Sequence, residues 1–466
     1  MNLVIENRIV DEIFANSEAY ENLLVLADDI GPRLIGSPNE IKARDFLIET
    51  LSQYGLDNVR AEAFPHQAWR AEREELRIIA PIERKLGCRC SALSASTPTV
   101  GVEGEFVLLE RCDRAELEEH KERVKGRIVV APYDPVPRHL KTPLATEYGA
   151  IALLEAFGFP GSHLSARACV YAKAAQIPVA SISKEDHDFL RRLEQRKGTA
   201  KLRLTLDSRF EKKDGWNVVG EISGTEDTPE HIVMGAHYDS HHIAPGAADN
   251  AAGVAAIVEA ARALIQNQEH IKRSIIVALF SGEEVGLVGA WAYTHQHCDE
   301  LENTILMLNN DGQGGRPNGV SINAIDEFKP IMEDVSVRFR IDGEDLPPYK
   351  VSVDRPGWYG VDQFPFFLNG VPAMLAHTSP YHPNDFAFVH TTADTVDKVY
   401  VPGLTESAAV NAQIAFNFAN LPARPAPRKT QQELEEMFEN YDYIETLELL
   451  DMWPAEHAKE RYFSFN

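Results

Sequence analysis

Three segments between residues 231 and 311 consist almost entirely of apolar residues, and helix-like segments separate them. The apolar segments are HIVMGAH (231–237), SIIVALFS (274–281) and TILMLNND (304–311), and the segments between them are NAAGVAAIVEAARALIQ (250–266) and GLVGAWAYTHQH (286–297). Strands that are apolar on both faces and alternate with helices are typical of parallel sheets covered by helices on both sides. The sequence therefore predicts an α/β fold with a doubly wound, largely parallel mixed sheet.

The chain has 466 residues, which is more than a single hydrophobic core usually serves. The predicted main domain covers residues 1–86 and 208–421. Between its two parts, residues 87–207 contain short strands and small-residue turns, such as KGRIVVAPY and GAIALLEAF, and indicate an inserted β-rich domain. Residues 422–466 form a proline-rich linker, PARPAPRK, and an acidic helical tail.

The acidic tail has apolar residues at roughly helical spacing, so one face of it is expected to be buried. These residues are Leu434, Met437, Phe438, Tyr441, Ile444 and Leu447. The favoured interpretation is a helix docked on its own domain. A helix docked on a second subunit and a disordered acidic tail are the alternatives.

The formal net charge is −25, which argues against a nucleic-acid backbone or an anionic membrane as a partner. No segment reaches the roughly 18 uninterrupted apolar residues of a membrane span, and the N-terminus lacks the pattern of a secretory signal. The five cysteines form no disulfide framework and are expected to be free thiols. These features predict a cytoplasmic protein.

Ionisable side chains follow each of the predicted strands of the main domain. Those at strand ends are His237, Asp239, Glu283, Glu284 and Asp311; Asp249 precedes a helix, and the later segment HTTADT contains His390 and Asp394. Parallel sheets bind ligands beyond the carboxyl ends of their strands. We therefore expect these side chains to meet in one crevice.

Four carboxylates in one crevice, those of Asp249, Glu283, Glu284 and Asp311, cannot all be ionised without strong repulsion and a desolvation cost. Divalent cations remove this conflict, and imidazole with carboxylate is a ligand set that suits zinc, with cobalt or manganese as substitutes. If one carboxylate bridges, the same residues can hold two ions about 3.5–4 Å apart.

The motifs GAHYDS, PGAADNAAG, SGEEVGLVGA, LNNDG, GVDQFPFFLNGVPA and HTTADTVDKV resemble, in this order, those of the di-zinc exopeptidase family of bacterial leucyl aminopeptidases and glutamate carboxypeptidases. The N-terminal segment IGPRLIGSPNEIKARDFLIETLSQYGL also resembles the opening helix of that family. Its own residues predict a helix with Ser37 or Asn39 at the N-cap and Gly55 at the end, and with one apolar face formed by Ile41, Phe46, Leu47 and Leu51. The resemblance covers about residues 20–85 and 215–420. The insert is similar to the protease-associated domain that several members carry.

The resemblance implies two Zn²⁺ ions per chain and a role for each ligand. His237 and Asp311 would hold one ion, Glu284 and His390 the other, and Asp249 would bridge them. The fold implied is that of the zinc exopeptidases, so the main domain would be the catalytic domain.

Two further carboxylates have catalytic roles on this interpretation. Glu283 would be the general base that takes a proton from a water bridging the two ions and passes it to the leaving amine. Asp239 would accept a hydrogen bond from the other ring nitrogen of His237. Some family members have a cis peptide after the bridging aspartate, and we expect one at Asp249–Asn250.

The substrate-binding residues are less well defined, because Val389 stands where many relatives have an aromatic residue before the last metal histidine. Tyr381, His377 and His382 are candidates for polarising the scissile carbonyl. Arg355 is a candidate for binding a substrate carboxylate, with a surface ion pair as the alternative. His241 and His242 are expected to line the cleft or to face solvent rather than to bind metal.

Together these features predict a metal-dependent exopeptidase, specifically an aminopeptidase that acts on small peptides. A carboxypeptidase or dipeptidase on the same dizinc site is the main alternative. A glutaminyl-cyclase-like enzyme and a non-catalytic binding module are further alternatives. A homo-oligomer formed through the insert or the tail is also expected.

Overall fold

The main sheet has the alternating parallel architecture predicted from the sequence. The structure is a computed structural model, and it describes residues 2–312, 314–341, 348–381, 385–456 and 462–463. Fourteen strands form one continuous mixed sheet in the order β13-β12-β14-β11-β9-β10-β8-β4-β5-β6-β7-β3, with β1 paired to β8 and β2 paired to β1. The strands are β1 Asp57–Ala80, β2 Arg84–Leu86, β3 Arg89–Cys90, β4 Val102–Leu108, β5 Ile128–Ala131, β6 Ala152–Ala156, β7 Val179–Ile182, β8 Lys201–Ile222, β9 His231–His237, β10 Ser274–Phe280, β11 Thr304–Asn310, β12 Gly314–Asn323, β13 Lys350–Asp354 and β14 Ala373–Pro380.

Helices cover both faces of this sheet. They are α1 Asn2–Asn16, α2 Ala19–Leu24, α3 Pro38–Tyr54, α4 Arg114–Glu119, α5 Lys121–Val124, α6 Arg138–Glu147, α7 Lys184–Lys197, α8 Ala252–Ile265, α9 Val288–Gln296, α10 Phe328–Ser336, α11 Gln363–Leu368, α12 Val401–Ala419, α13 Gln431–Asn440 and α14 Ile444–Leu449. Along β9, Ile232 and Met234 join a core with α8 and α12, whereas Val233 joins a second core with α9 and α11. Successive strand residues point to opposite faces, so the sheet is buried on both sides, as expected.

The strands that precede the candidate site residues are neighbours in the sheet. β9 pairs in parallel with β10 and with β11, and β11 pairs in parallel with β14. The carboxyl ends of β9, β10 and β11 therefore lie side by side. This arrangement brings the residues that follow each strand to one edge of the sheet.

Helix α3 begins and ends as the sequence predicts. The Ser37 side chain accepts a hydrogen bond from the backbone N–H of Glu40, and Gly55 ends the helix with φ +89°. Of the apolar residues expected on its buried face, Leu47 and Leu51 are buried, whereas Ile41 is exposed. The expectation for Ile41 was wrong because it lies outside the stripe that contacts the core.

The insert is joined to the main domain by a long two-stranded ribbon. β1 and β8 pair antiparallel from Asp57↔Glu221 to Ala80↔Lys201, so β8 runs through the expected domain boundary at 207/208. β4 then pairs with β8, which makes the strands of the insert an extension of the main sheet. Strands β4 to β7 are parallel, and helices α4 to α7 accompany them, so the insert contains more helix than the term β-rich conveys.

The acidic tail is docked on its own chain, as the favoured interpretation predicts. Leu434 and Phe438 of α13 and Leu447 of α14 are fully buried. The Phe438 ring lies edge-on to Trp453, with ring centroids 5.1 Å apart. Tyr441, which is 49% exposed, is the one apolar residue of this stripe that points to solvent among those the structure describes.

Two further expectations concern the whole chain. All five cysteines are free thiols, as predicted. Among the described helices, none combines the length and the apolar character needed to cross a membrane.

The burial of Phe438 gives a test of the docked tail. Replacing this ring by alanine should lower the free energy of unfolding by about 3–5 kcal/mol, because a cavity remains where the ring packs. Tyr441→Ala removes an exposed ring from the same segment and should change stability by less than about 0.5 kcal/mol. Urea unfolding followed by fluorescence measures both. Equal effects of the two substitutions would contradict the docked tail.

Candidate metal centre

The expected crevice forms at the carboxyl ends of β9, β10 and β11. His237 is the last residue of β9, Glu283 and Glu284 lie in a single helical turn just after β10, and Asp311 directly follows β11. His390 reaches the same place from a later turn. These five ionisable residues, which were predicted to meet, therefore lie together. Asp249 lies in the same place.

One group of potential ligands consists of His237, Asp249 and Asp311, whose nearest nitrogen and oxygen atoms all lie within 4.8 Å of one another. The Nε2 atom of His237 is 3.2 Å from Oδ1 of Asp249 and 3.7 Å from Oδ1 of Asp311. This donor set, one imidazole and two carboxylates, is a type that holds zinc in enzymes.

A second group consists of His241, Glu284 and His390, again within 4.8 Å of one another. Glu284 Oε2 is 2.8 Å from Nε2 of His241 and 3.2 Å from Nε2 of His390. The Oδ2 atom of Asp249 is 2.9 Å from Nε2 of His390, whereas its Oδ1 atom faces His237. One carboxylate therefore contacts both groups through different oxygens.

Several buried polar atoms of these groups lack hydrogen bonds. Such atoms show whether the residues present fit a metal ion. Both ring nitrogens of His237 and of His241, Oε1 of Glu284 and Nδ1 of His390 have no hydrogen-bond partner among the described residues. Buried polar groups are rarely left unsatisfied, because the desolvation cost is then uncompensated. Divalent cations would satisfy these convergent donors, so the residues present fit a metal centre.

Asp239 lies behind His237, where a partner of that imidazole was expected. Its Oδ1 atom is 3.5 Å from Nδ1 of His237 and accepts a 3.1 Å hydrogen bond from the backbone N–H of Glu283. Asp239 thus links the end of β9 to the turn that carries both glutamates. Burial, with the negative charge of Glu284 adding to it, raises the pKa of Asp239.

The segment that carries Asp249 is held by a carboxylate as well. Asp394 accepts hydrogen bonds from the backbone N–H groups of Ala248 and Asp249, at 2.8 and 3.2 Å. The peptide bond Asp249–Asn250 is cis, as predicted. Asp394 therefore fixes the backbone from which the shared carboxylate projects.

A buried cation supports the acidic cluster from below. The guanidinium of Arg33 is fully buried and donates to the carbonyl oxygens of Tyr238, at 2.5 Å, of Gly246, at 2.9 Å, and of Pro245. Burial lowers the pKa of Arg33 to about 10, and nearby carboxylates, Asp239 first, oppose that shift. Arg33 remains charged at neutral pH and orients the loop between His237 and Asp249.

The two adjacent glutamates have opposite electrostatic environments. Burial raises the pKa of Glu283 well above its usual value, and the charges of Asp311 and Glu284 add to this effect. Burial acts on Glu284 in the same direction, but His241 and His390 outweigh it and hold the pKa of Glu284 well below its usual value. Pairs of carboxyl groups whose pKa values are driven apart are typical of sites where one group moves a proton.

A cavity of about 320 Å³ opens over the cluster. Glu283, Glu284, Asp249, Asp311 and His390 line its floor, and the insert lines one wall. The insert residues in this wall are Tyr133, Arg138, His139, Arg167 and Tyr171. The cavity size suits a short peptide better than a folded protein chain.

Of the predicted substrate-binding residues, His377 lies in the cavity wall and contacts Ser321, with 2.6 Å between Nε2 and Oγ. Tyr381 lies outside the cavity lining, where its ring stacks on Tyr400. Arg355 also lies outside and forms an ion pair with Asp326 at the surface, the alternative considered for it. His382 lies outside the described residues.

The two adjacent histidines differ from expectation. His241 is fully buried against Glu284 and His390, so a solvent-facing role was wrong for it. His242 is half-buried, and its ring lies edge-on to Trp69 at 5.0 Å. Successive side chains of this loop point in different directions, so the two imidazoles have different surroundings. The loop sequence has no periodic pattern from which this could be predicted.

The cleft-lining residues of the insert are the main feature that the sequence analysis missed. Arg138 and Arg167 are half-buried, and no carboxylate in the described part of the chain forms an ion pair with either. The guanidinium of Arg167 lies 4.2 Å from the ring centroid of Tyr133. Their approach to the cluster results from docking of the insert, so local sequence carries no signal of it.

A known family model matches the part of the chain that carries the candidate metal centre. Residues 217–415 match the model of peptidase family M28, and this segment contains every candidate metal ligand. Over this segment, which is less than half of the chain, the sequence matches peptidase family M28. The chain is a zinc-dependent metallo-exopeptidase, as the sequence predicts.

Relatives of similar sequence match over most of the chain. Carboxypeptidase Q from Bos taurus is 26% identical over 420 residues, which cover 87% of this chain and 86% of the relative. A peptidase M28 precursor from Shewanella amazonensis has the same fold, with a TM-score of 0.79, 24% identity and coverage of 92% of this chain and 99% of that one. The zinc aminopeptidase BSAP from Bacillus subtilis also shares the fold, with a TM-score of 0.66, 20% identity and coverage of 85% and 93%.

The position of Asp249 between the two donor groups predicts how its loss acts on metal binding. Asp249→Ala should weaken binding of both zinc equivalents by at least about tenfold, since even outer partners of metal ligands contribute that much. The thermal stabilisation of the protein by added zinc should fall accordingly. Asp397→Ala, at an exposed aspartate in the same region, is the matched control. Unchanged zinc content of Asp249→Ala after dialysis would contradict the shared-ligand arrangement.

Proposed function

We propose that this chain is a dizinc aminopeptidase that removes the N-terminal residue of short peptides. The observation that carries the proposal is the carboxylate of Asp249, which meets His237 through one oxygen and His390 through the other. A shared carboxylate between two donor groups at the floor of a cavity is the arrangement that two co-catalytic ions require. Cobalt or manganese are expected substitutes for zinc.

The candidate ligands are His237, Asp249 and Asp311 for one ion, and Glu284 and His390, with Asp249, for the other. When bound, the two ions supply Lewis acidity that polarises the scissile carbonyl and activates the attacking water. This chain contributes the positions of the ligands and the cavity that orients the peptide above them.

Proton transfer is assigned to Glu283. Its side chain belongs to neither donor group, lines the cavity and has a raised pKa because of burial and neighbouring negative charge. A carboxyl group with these properties can take a proton from the attacking water and return it to the amine that leaves. Asp239 fixes the geometry by accepting the backbone N–H of Glu283.

The acidic floor of the cavity favours a substrate whose positively charged group lies close to the reacting bond. A free α-amine meets that requirement, which supports attack at the N-terminus of the peptide. The excess negative charge of the cluster is only partly offset by Arg33 beneath it. Aminopeptidase activity is therefore the leading proposal.

A carboxypeptidase or dipeptidase is the second candidate, and the guanidinium groups of Arg138 and Arg167 favour it. Arginine is well suited to bind carboxylates through paired hydrogen bonds, and these two side chains line the same cavity as Glu283 and Glu284. The relative named carboxypeptidase Q is consistent with this candidate. Both candidates share one consequence, that short peptides with a free carboxylate are preferred.

The insert, which we propose to be a protease-associated domain, would limit substrate length by forming one wall of the cavity. Two backbone hydrogen bonds attach it to the site. Ala166 donates to the carbonyl of His390, and Ala172 donates to the carbonyl of Val285, each at 2.8 Å. The insert thus contacts both turns that carry ligands of the second group.

The role of Glu283 is tested with a mixed peptide pool and mass spectrometry. Glu283→Gln should retain its zinc while turnover falls by about 10²–10⁴-fold, since proton transfer is lost and the ligands remain. Glu269→Gln, at an exposed glutamate, is the control. Peptides shortened from the N-terminus support the aminopeptidase, and peptides shortened from the C-terminus support the second candidate. Near-normal turnover of Glu283→Gln would exclude it as the base.

The positions of Arg138 and Arg167 in the cavity wall predict that KM depends on the carboxylate of the substrate. Arg138→Gln should raise KM for short peptides by about tenfold to one hundredfold, as expected when hydrogen bonds worth about 1.5–3 kcal/mol are lost. KM for the corresponding peptide amides should not change. Arg355→Gln, which alters only the surface ion pair with Asp326, is the matched control. An equal loss for peptides and their amides would contradict carboxylate recognition.

A further inference from the structure

His241 is placed where a metal ligand would be. It lies four residues after His237, is fully buried, and its Nε2 atom is 2.8 Å from Oε2 of Glu284. Its ring lies edge-on to that of His390, at 85° and with 4.6 Å between the centroids. The imidazoles of His241 and His390 therefore approach one carboxylate from two sides.

The contact between His241 and Glu284 has the spacing of two ligands of one ion. Nε2 of His241 lies 2.8 Å from Oε2 of Glu284, and Nδ1 of His241 makes no hydrogen bond to any of the residues that the structure describes. Two atoms that each lie about 2 Å from one zinc ion are about 3 Å apart. The separations from Glu284 Oε2 to the two imidazole nitrogens, 2.8 and 3.2 Å, are close to that value.

Buried histidines usually have a hydrogen-bond partner that fixes their tautomer. The nearest partner of His241 is an oxygen of Glu284 that also faces a nitrogen of His390, so the three atoms converge within 4.8 Å. A structural role in the core would leave two imidazoles directed at one carboxylate oxygen. A metal ligand would have one nitrogen satisfied by the ion.

We propose that His241 is a further zinc ligand, so that the ion held by Glu284 and His390 has four protein donors, with Asp249 as the fourth. The ion held by His237 and Asp311 then has three protein donors, again counting Asp249. This inference rests on the dizinc site proposed above and adds a difference between its two halves.

The number of protein donors decides what each ion can do. A zinc ion with more protein donors has fewer positions left for water or substrate. The site of His237, Asp249 and Asp311 would therefore be the more accessible of the two co-catalytic sites. The site that contains His241 would bind its ion more firmly and would hold the turn of Glu284 in place.

His242 provides a matched control for this proposal. It is the next residue in the chain, and its imidazole packs against Trp69 rather than against the cluster. Substituting either histidine removes the same functional group from the same loop. Only His241 is placed to change the number of imidazoles bound to metal.

The test is proton NMR of the protein in which cobalt replaces zinc. Each ligating imidazole retains one N–H on its other nitrogen, and cobalt shifts that signal far from the rest of the spectrum. We expect three exchangeable signals from wild type and from His242→Ala, and two from His241→Ala. We also expect His241→Ala to bind one of its two cobalt equivalents more than about tenfold more weakly.

Two exchangeable signals from a wild-type protein that binds two cobalt ions would overturn the role of His241 and leave the dizinc proposal intact. A protein that binds no cobalt or zinc at all would overturn both. The wild-type count decides the matter without any variant, so the outcome does not depend on the folding of His241→Ala.

Discussion

The repulsion among carboxylates at one edge of the sheet is the constraint on which the rest of the site depends. The parallel pairing of neighbouring strands gathers Asp239, Glu283, Glu284 and Asp311 there, and the loop before α8 adds Asp249. Such a cluster, largely removed from water, is costly unless cations compensate it. The buried guanidinium below the carboxylates supplies part of that charge, and the proposed metal ions, held in part by neutral imidazoles, supply the remainder.

Charged side chains around the cluster hold the loops that carry the candidate ligands. Arg33 donates to backbone carbonyls of the loop before Asp249 and leaves the carboxylates free to face the cavity. Asp394 and Asp239 act in the opposite sense and accept backbone N–H groups of the two loops that carry ligands. The insert then closes one wall of the cavity. Its backbone N–H groups contact the turns of His390 and Val285, so the wall and the metal ligands are mechanically connected.

Much of this architecture was predictable, because apolar strands and amphipathic helices have local signatures. The strands ending at His237 and Asn310 and the helix ended by Gly55 fall where the sequence places them. The sequence analysis did not predict the ribbon of β1 and β8 or the helices of the insert. A strand that runs through two domains has no local signal at the domain boundary. The docked tail followed from the spacing of its apolar residues.

The candidate site also has residues that were predictable from the sequence and residues that were not. His237, Asp249, Glu284 and Asp311 were predictable because each follows a strand or precedes a helix, and His390 because it lies in a recognisable motif. The direction of the His241 ring depends on the path of a loop without periodicity, and Arg138 and Arg167 reach the cleft only through docking of the insert. Tertiary contacts of this kind leave no mark on the surrounding sequence.

The most direct measurement is an anomalous difference map, recorded at the zinc absorption edge, from crystals of the zinc-loaded protein. The account predicts two peaks about 3.5–4 Å apart, one beside His237 and Asp311 and the other beside Glu284 and His390, with Asp249 between them. A single peak, or peaks away from these residues, would contradict a dizinc centre.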